Sequence, residues 1–316
     1  MSNIESLLNT SKLHSIIFKT AGKIAESMEI RAYVVGGYVR DRLLNKSECI
    51  DIDIMVEGDS LPFSQRLAKE LNIKDMVEFE EFKTVRLYHS EVVIEIASAR
   101  KESYRDSSRK PLIDIATIEE DLLRRDFTIN AIAASLSPKD FGQLFDPLGG
   151  IRDLNKGIII TPLDPDETFS DDPLRMLRAI RFAAQLKFSI APNILESIIH
   201  IKNRLNIVSW ERITEEIIKI LKTDKPSIAF NKMKETSLLE YVFPELDIMS
   251  GVEKIEGKSH KDVFLHTLQV VDNAAELTQK MEIRFAALVH DIAKPPTKRF
   301  DKEKGWTFHG HEKLGG

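Results

Sequence analysis

The sequence predicts an α+β protein: an N-terminal domain of mixed strands and helices, a helical middle and a helical C-terminal piece. Three observations carry this. Before about residue 160, short apolar runs of strand character are interleaved with helical patterns. From Asp171 to Tyr241 nearly every segment repeats its apolar residues with helical period, and no good strand appears. A softer stretch from Pro244 to Ser259, containing Gly251 and Gly257, then separates this region from further helical patterns. A chain of 316 residues is too long for one small core. The expected domains are 1–160, 161–245 and 246–316, the last looking incomplete because no closing element follows Gly315-Gly316.

Residues 4–28 carry Ile4, Leu7, Leu8, Leu13, Ile16, Ile17 and Ile24 at roughly helical spacing. Tyr33-Val34-Val35 is a short apolar strand that runs into Gly36-Gly37, and Val39 to Leu44 reads as a short helix bearing Arg40 and Arg42. The next strand is Ile50-Asp51-Ile52-Asp53-Ile54. Strand side chains alternate, so the three isoleucines face a core while Asp51 and Asp53 face the other way, side by side. Ser60 is placed to cap a helix reaching about Leu71. Residues 76–97 hold strand-like runs, the clearest being Val92-Val93-Ile94-Glu95-Ile96. The polar stretch 100–118, with Arg105, Asp106, Ser107, Ser108, Arg109, Lys110 and Pro111, reads as a mobile loop, and Glu119 to Ala134 as a helix. Further helices are expected at 171–187, 192–201, 210–222, 226–241, 262–279 and 282–292.

Composition bounds the function. Hydrophobic content of 42% with 30% charged residues is ordinary for a globular protein. No apolar run approaches the roughly 18–20 residues needed to span a bilayer, so no membrane partner is expected. Met1-Ser2-Asn3-Ile4-Glu5 has neither the basic nor the apolar region of a secretory signal. The single Cys49 rules out an internal disulfide and fits a reducing, cytoplasmic setting. Net charge of −5 provides no overall basic field, so any RNA binding must come from local Arg and Lys clusters.

Two adjacent carboxylates on one stiff strand repel each other unless something positive sits between them. Hard divalent cations with oxygen ligands, typically Mg²⁺, answer that need. A lone D-x-D is weak evidence, since a one-sided sheet produces it often. The surroundings strengthen it. Gly36-Gly37 leads from a strand into a helix, where glycine lets backbone amides approach a phosphate and the helix N-terminus adds partial positive charge. A phosphate cradle followed by a metal-binding strand is the layout nucleotide transfer requires.

The order of these pieces resembles class II tRNA nucleotidyltransferases, the CCA-adding enzymes and related bacterial poly(A) polymerases of the DNA polymerase β-like superfamily. Val34-Val35-Gly36-Gly37-Tyr38-Val39-Arg40-Asp41 with Asp51-Ile52-Asp53 is similar to the first family motif. Ile96 to Tyr104, Arg124-Arg125-Asp126-Phe127-Thr128-Ile129-Asn130-Ala131, Asp146 to Leu154, Asp171 to Phe182, and Ser209-Trp210-Glu211-Arg212-Ile213 resemble the following ones. The resemblance covers roughly residues 20–245. It implies a polymerase β-like head and a helical recognition region. It also implies attack of a tRNA 3′-hydroxyl on the α-phosphorus of CTP or ATP, with release of pyrophosphate. A two-metal site suits that reaction, its ions roughly 3.5–4 Å apart. Asp51 and Asp53 are the expected ligands of two Mg²⁺ ions, and Glu95 is a candidate third carboxylate. Gly36, Gly37, Arg40, Arg124, Arg125, Asp126 and Asn130 are candidate nucleotide contacts, the arginines because guanidinium matches phosphate oxygens in a fork.

Asp172 and Arg175, at i and i+3, are expected on one helix face. An acceptor-only carboxylate beside a donor-only guanidinium reads the edge of a base, and the resemblance gives the equivalent pair the choice between CTP and ATP. The shorter Asp171 stands where the family more often has Glu. Arg178 and Arg181 continue the basic face of that helix as further candidate nucleotide contacts, and Arg212 is expected to order helices around the base pocket.

A second constellation lies at the C-terminus, where five of the eight histidines follow residue 259. His266, His290-Asp291, His309 and His311 resemble the start of an HD domain. His and Asp ligands on helices suit a metal ion, so His266, His290 and Asp291 are a candidate second site. Three readings follow: a tRNA 3′-nucleotidyltransferase with a poly(A) polymerase as its alternative, an HD phosphohydrolase, and a non-catalytic RNA-binding scaffold.

Overall fold

This computed structural model describes residues 3–9, 11–46, 51–105 and 108–316, with 101–115 as backbone only. The chain divides into two compact units, Met1–Lys156 with Ile160–Asp164, and Gly157–Ile159 with Pro165–Gly316.

The first unit opens with α1 (Glu5–Leu8) and α2 (Lys12–Ser27). It continues through β1 (Ala32–Val35), α3 (Gly37–Leu43), β2 (Asp51–Val56), α4 (Ser60–Glu70), β3 (Asp75–Phe79), β4 (Thr84–His89) and β5 (Val92–Ser98). A hairpin of β6 (Arg100–Arg105) and β7 (Ser108–Ile115) leads to α5 (Ile118–Leu123), β8 (Ala133–Ser135), β9 (Leu144–Phe145) and α6 (Gly150–Lys156). Seven strands form one mixed sheet in the order β3-β4-β5-β2-β1-β8-β9. Only β2 and β5 run parallel; the other neighbours are antiparallel.

Alternation decides the two faces of this sheet. Ile52, Ile54, Ile94, Ile96, Val85 and Leu87 point to one side and are buried against Ile17 and Phe18 of α2 and Phe63 and Leu67 of α4. On the other side, Tyr33, Val35 and Ala133 are covered by Ile118 and Leu122 of α5. That cover reaches Met55 at the far end of β2 but not Asp51 and Asp53, and the outer residues of β5, β4 and β3 remain partly or fully exposed.

The second unit pairs β10 (Ile158–Ile159) in parallel with β11 (Ser189–Ile190). Around them run α7 (Pro165–Asp171), α8 (Leu174–Leu186), α9 (Pro192–Ile201), α10 (Trp210–Leu221), α11 (Ser227–Glu235), α12 (Leu239–Val242) and α13 (Pro244–Asp247). The hairpin of β12 (Lys254–Ile255) and β13 (Lys258–Ser259) precedes α14 (Val263–Leu277) and α15 (Met281–Val289). After them come α16 (Lys294–Thr297), the hairpin of β14 (Arg299–Asp301) and β15 (Gly305–Thr307), and α17 (His311–Gly315). Helix α8 packs on α10 and α11, α11 on α14, and α10 on α15. Arg284 of α15 is 1% exposed and donates to the carbonyls of Leu221, Thr223, Ala275 and Thr278. It satisfies carbonyls left open at the C-terminal ends of α10 and α14.

Several expectations need correction. The stretch expected as a loop at 100–118 is largely an antiparallel hairpin. The helix expected from Glu119 to Ala134 ends at Leu123, and β8 takes its last residues because they add a strand to β1. Asp59, not Ser60, caps α4: its carboxylate accepts from Leu61 N, while the Ser60 hydroxyl donates to the Lys83 carbonyl. The expected linker from Pro244 contains a helical turn and a small hairpin. Cys49 and Ile50 lie outside the described residues. No helix among the described residues is long and apolar enough to cross a membrane.

Candidate active site

Strand β2 carries Asp51 and Asp53 on the open face of the sheet, and its pairing with β5 sets Asp53 directly opposite Glu95. Three carboxylates from two neighbouring strands therefore share one face. Burial is the largest influence on Asp53, and with Glu95 and Asp51 beside it outweighs the attraction of Arg125 and Arg40, pushing its pKa up from 3.8 to about 6. Glu95 is engaged from the other side: Arg86 Nε donates to its Oε2 at 2.7 Å.

Gly36 makes the close approach possible. It adopts φ +70°, and a Cβ there would stand 2.9 Å from Arg125 Nη1 and 3.5 Å from Asp53 Oδ2. Its own N–H is donated to the Ile132 carbonyl, so what Gly36 contributes is room rather than a phosphate donor.

Arg124 and Arg125 close the site through a shared anchor. Asp121, 1% exposed, accepts from Arg124 through Oδ1 and from Arg125 through Oδ2. Burial pushes the Asp121 carboxyl up, but the two guanidiniums overcome it and hold it below its ordinary range. A single carboxylate thus sets two cations side by side, with Arg125 Nη1 reaching toward the Asn130 carbonyl and Asp53. Asp121 was not singled out in the sequence, although its i, i+3 and i+4 spacing to the two arginines was a readable signal.

Arg40, Asp126 and Asn130 lie beneath the surface, at 5%, 8% and 6% exposure. Asn130 Oδ1 accepts from Arg40, its Nδ2 donates to Asp126 Oδ1, and Arg40 forks onto Asp41. As placed, these three stand behind the site and fix the turn after Arg125. Asp146 accepts from the N–H groups of Gly150 and Ile151, and Asp153 from the Thr128 hydroxyl. They clamp α6 onto the same turn, where a Cβ at Gly150 would meet the Thr128 carbonyl at 2.1 Å.

The second unit holds the other candidates. Asp172 is not on a helix with Arg175: it sits between α7 and α8, because Pro173 begins the new helix. Its Oδ1 accepts from Leu174 N, and Arg212 chelates both oxygens, at 3.2 and 2.8 Å. Arg175, one turn on, donates to the Thr168 carbonyl. Arg212 therefore orders Asp172 directly. Arg181 is 7% exposed and its guanidinium is taken up by buried Glu216 and by Gln185. That ion pair binds α8 to α10 and places Arg181 away from any open surface, contrary to the expected nucleotide contact. Burial raises the Glu216 carboxyl, but Arg181, Lys219 and Arg178 together hold it below its ordinary range. Arg178 is partly exposed, over the Phe182 ring.

His266 of α14 and His290 and Asp291 after α15 bring one ligand atom each within 4.8 Å of one another. His311 lies 3.6 Å from Asp291 Oδ1, while Lys294 Nζ is 2.7 Å from Oδ2. The donor set of imidazoles around a buried carboxylate fits a transition-metal ion.

Comparison with known proteins agrees with both halves of this layout. Residues 32–160 match the family described as "Poly A polymerase head domain", 187–249 "Probable RNA and SrmB- binding site of polymerase A", and 263–316 "HD domain". A "Multifunctional CCA protein" of Shewanella frigidimarina (strain NCIMB 400) is 38% identical over 299 residues, covering 90% of this chain and 67% of that protein. The chain belongs to the tRNA nucleotidyltransferase and poly(A) polymerase family. A CCA-adding enzyme in an apo form superposes with TM-score 0.74 at 31% identity, over 96% of this chain and 68% of that one. A tRNA nucleotidyltransferase complexed with a primer tRNA and an incoming ATP analogue gives 0.68 at 32%, over 85% and 74%. Members of this nucleotidyltransferase family depend on metal ions. Their HD domain accounts for the histidine-rich C-terminus.

Proposed function

We propose that this chain adds nucleotides to tRNA 3′ ends, building all or part of the CCA tail from CTP and ATP. The observation that carries the reading is Asp53: a desolvated carboxylate with two more beside it, its proton affinity raised, is unfavourable until cations bind. Asp51 and Asp53 would hold two Mg²⁺ ions, with Glu95 completing the set. When bound, such ions neutralise triphosphate charge and make the 3′-hydroxyl more acidic. Arg125, fixed by Asp121 beside Asp53, meets the triphosphate, and Arg124 supports it. Arg40, Asp126 and Asn130 hold that arginine's turn in place. Arg212 presents Asp172, and Asp172 with Arg175 offers acceptors and donors to the edge of the incoming base. The division into 1–160, 161–245 and 246–316 is supported by the three family matches, and the lone cysteine suits a cytoplasmic enzyme.

The test is incorporation on a tailless tRNA with Mg²⁺ and each nucleotide alone and together. Sequential CTP then ATP use supports CCA addition. Repeated ATP incorporation without CTP use supports the poly(A) alternative. Loss of all incorporation in Asp51→Ala is expected, and wild-type rates there would refute the assignment. The His266, His290 and Asp291 cluster favours a second, phosphohydrolase activity. It predicts turnover of phosphomonoesters or cyclic nucleotides that vanishes in His290→Ala and persists in Asp53→Ala.

A further inference from the structure

The open face of the sheet does not stop at the carboxylates. Strand register carries one row outward from Asp53 through Glu95 and Arg86 to Val77, and a second from Asp51 through Val93 and Tyr88 to Asp75. Phe79, two residues beyond Val77, shares this face. Tyr88 is 43% exposed, Val77 43% and Phe79 36%. Arg86 is the joint between the two regions: it donates to Glu95, interacts with Tyr88, and lies 5.1 Å over the Phe79 ring. Strand β4 stands two strand spacings from β2, roughly 10 Å, about the reach from a sugar hydroxyl to the next bases of a strand.

We propose that this surface is a shelf for the unpaired 3′-terminal bases of the RNA primer, stacked on Tyr88 and Phe79, with Arg86 bridging shelf and carboxylates. The proposal rests on the nucleotidyl-transfer reading and deepens it. The chemistry selects the occupant. Among the described side chains the shelf is aromatic and aliphatic, its cation Arg86 is already paired with Glu95, and Asp75 lies at its far edge. A duplex, which presents phosphates and hides its base faces, gains little there. Unpaired bases present flat faces that stack on aromatic rings without sequence preference. Continuity with the candidate catalytic strand places those bases next to the hydroxyl that reacts.

The experiment uses the full chain carrying Asp53→Asn, so that binding is read without turnover. Two RNA hairpins share one stem; one is blunt, the other ends in two unpaired 3′ cytidines. The overhang is expected to tighten binding. Tyr88→Ala should weaken overhang binding about tenfold, the scale of one lost base stack, and leave blunt binding unchanged, while Tyr88→Trp retains the preference. Phe79→Ala should act in the same direction. Equal affinity of Tyr88→Ala and its parent for the overhang overturns the shelf. So does a dimer in sedimentation that Tyr88→Ala dissociates, since a second copy would then occupy the face. Failure of the nucleotidyl-transfer reading shows separately, as absence of incorporation by the unmutated protein.

Discussion

The raised pKa of Asp53 makes stability and catalysis pull in opposite directions. Folding takes this carboxyl from 3.8 to about 6. At 1.36 kcal/mol per tenfold change, that is a penalty of about 3 kcal/mol on the ionised, metal-free protein. The folded chain holds this proton more tightly than the unfolded chain. Stability is therefore lost as pH rises through the interval between about 4 and 6, and the whole penalty is present above it. Asp53→Asn keeps the shape and removes the charge. In EDTA at pH 7.5 the variant should be more stable than its parent by up to about 3 kcal/mol, read by urea denaturation. At pH 4 the parent carboxyl is largely protonated and the difference should nearly vanish. Added Mg²⁺ should stabilise the parent and not the variant, and incorporation should be lost. A variant less stable than its parent at pH 7.5, or one whose advantage is the same at both pH values, would refute the electrostatic account of this site.

Gly36→Ala forces an L residue to φ +70° and sets a Cβ 2.9 Å from Arg125 Nη1; a cost of about 1–2 kcal/mol and a rise in nucleotide KM are expected, measured by denaturation and steady-state kinetics. Arg212→Ala leaves Asp172 without its bidentate partner. It should blunt discrimination between CTP and ATP roughly tenfold while changing stability little, since that ion pair is half-exposed. Arg284→Met strips a buried cation from four carbonyls and should cost about 3 kcal/mol or more in urea denaturation, the loss falling on the second unit.

What could be read from the linear chain was whatever depends on neighbours along it. Asp51 and Asp53 were placed on a common face because a strand repeats every two residues. The helices between 174 and 235 were readable because their apolar residues return each turn. Glu95 was the candidate third carboxylate because it lies in a neighbouring apolar strand, and the β2–β5 register sets it opposite Asp53. The end of α5 was not readable: Ala131 to Ser135 suits a helix until β1 offers it a hydrogen-bonding edge. Nor was the burial of Arg40 and Arg181, since an arginine's sequence context says nothing of the Asn130 or Glu216 that receives it.

The acidic strand, the glycine turn before it, the order of the motifs and the histidine-rich end are all legible along the chain. Each is a local pattern, or a set of patterns whose order is the information. Folding in three dimensions is what lets Asp121 yoke Arg124 and Arg125, gives Asp172 to Arg212 rather than Arg175, and lets Arg86 tie Glu95 to an open aromatic face. Charges pair across whatever distance in sequence the fold has closed in space, and a buried charge must find its partner there or lose its ionisation.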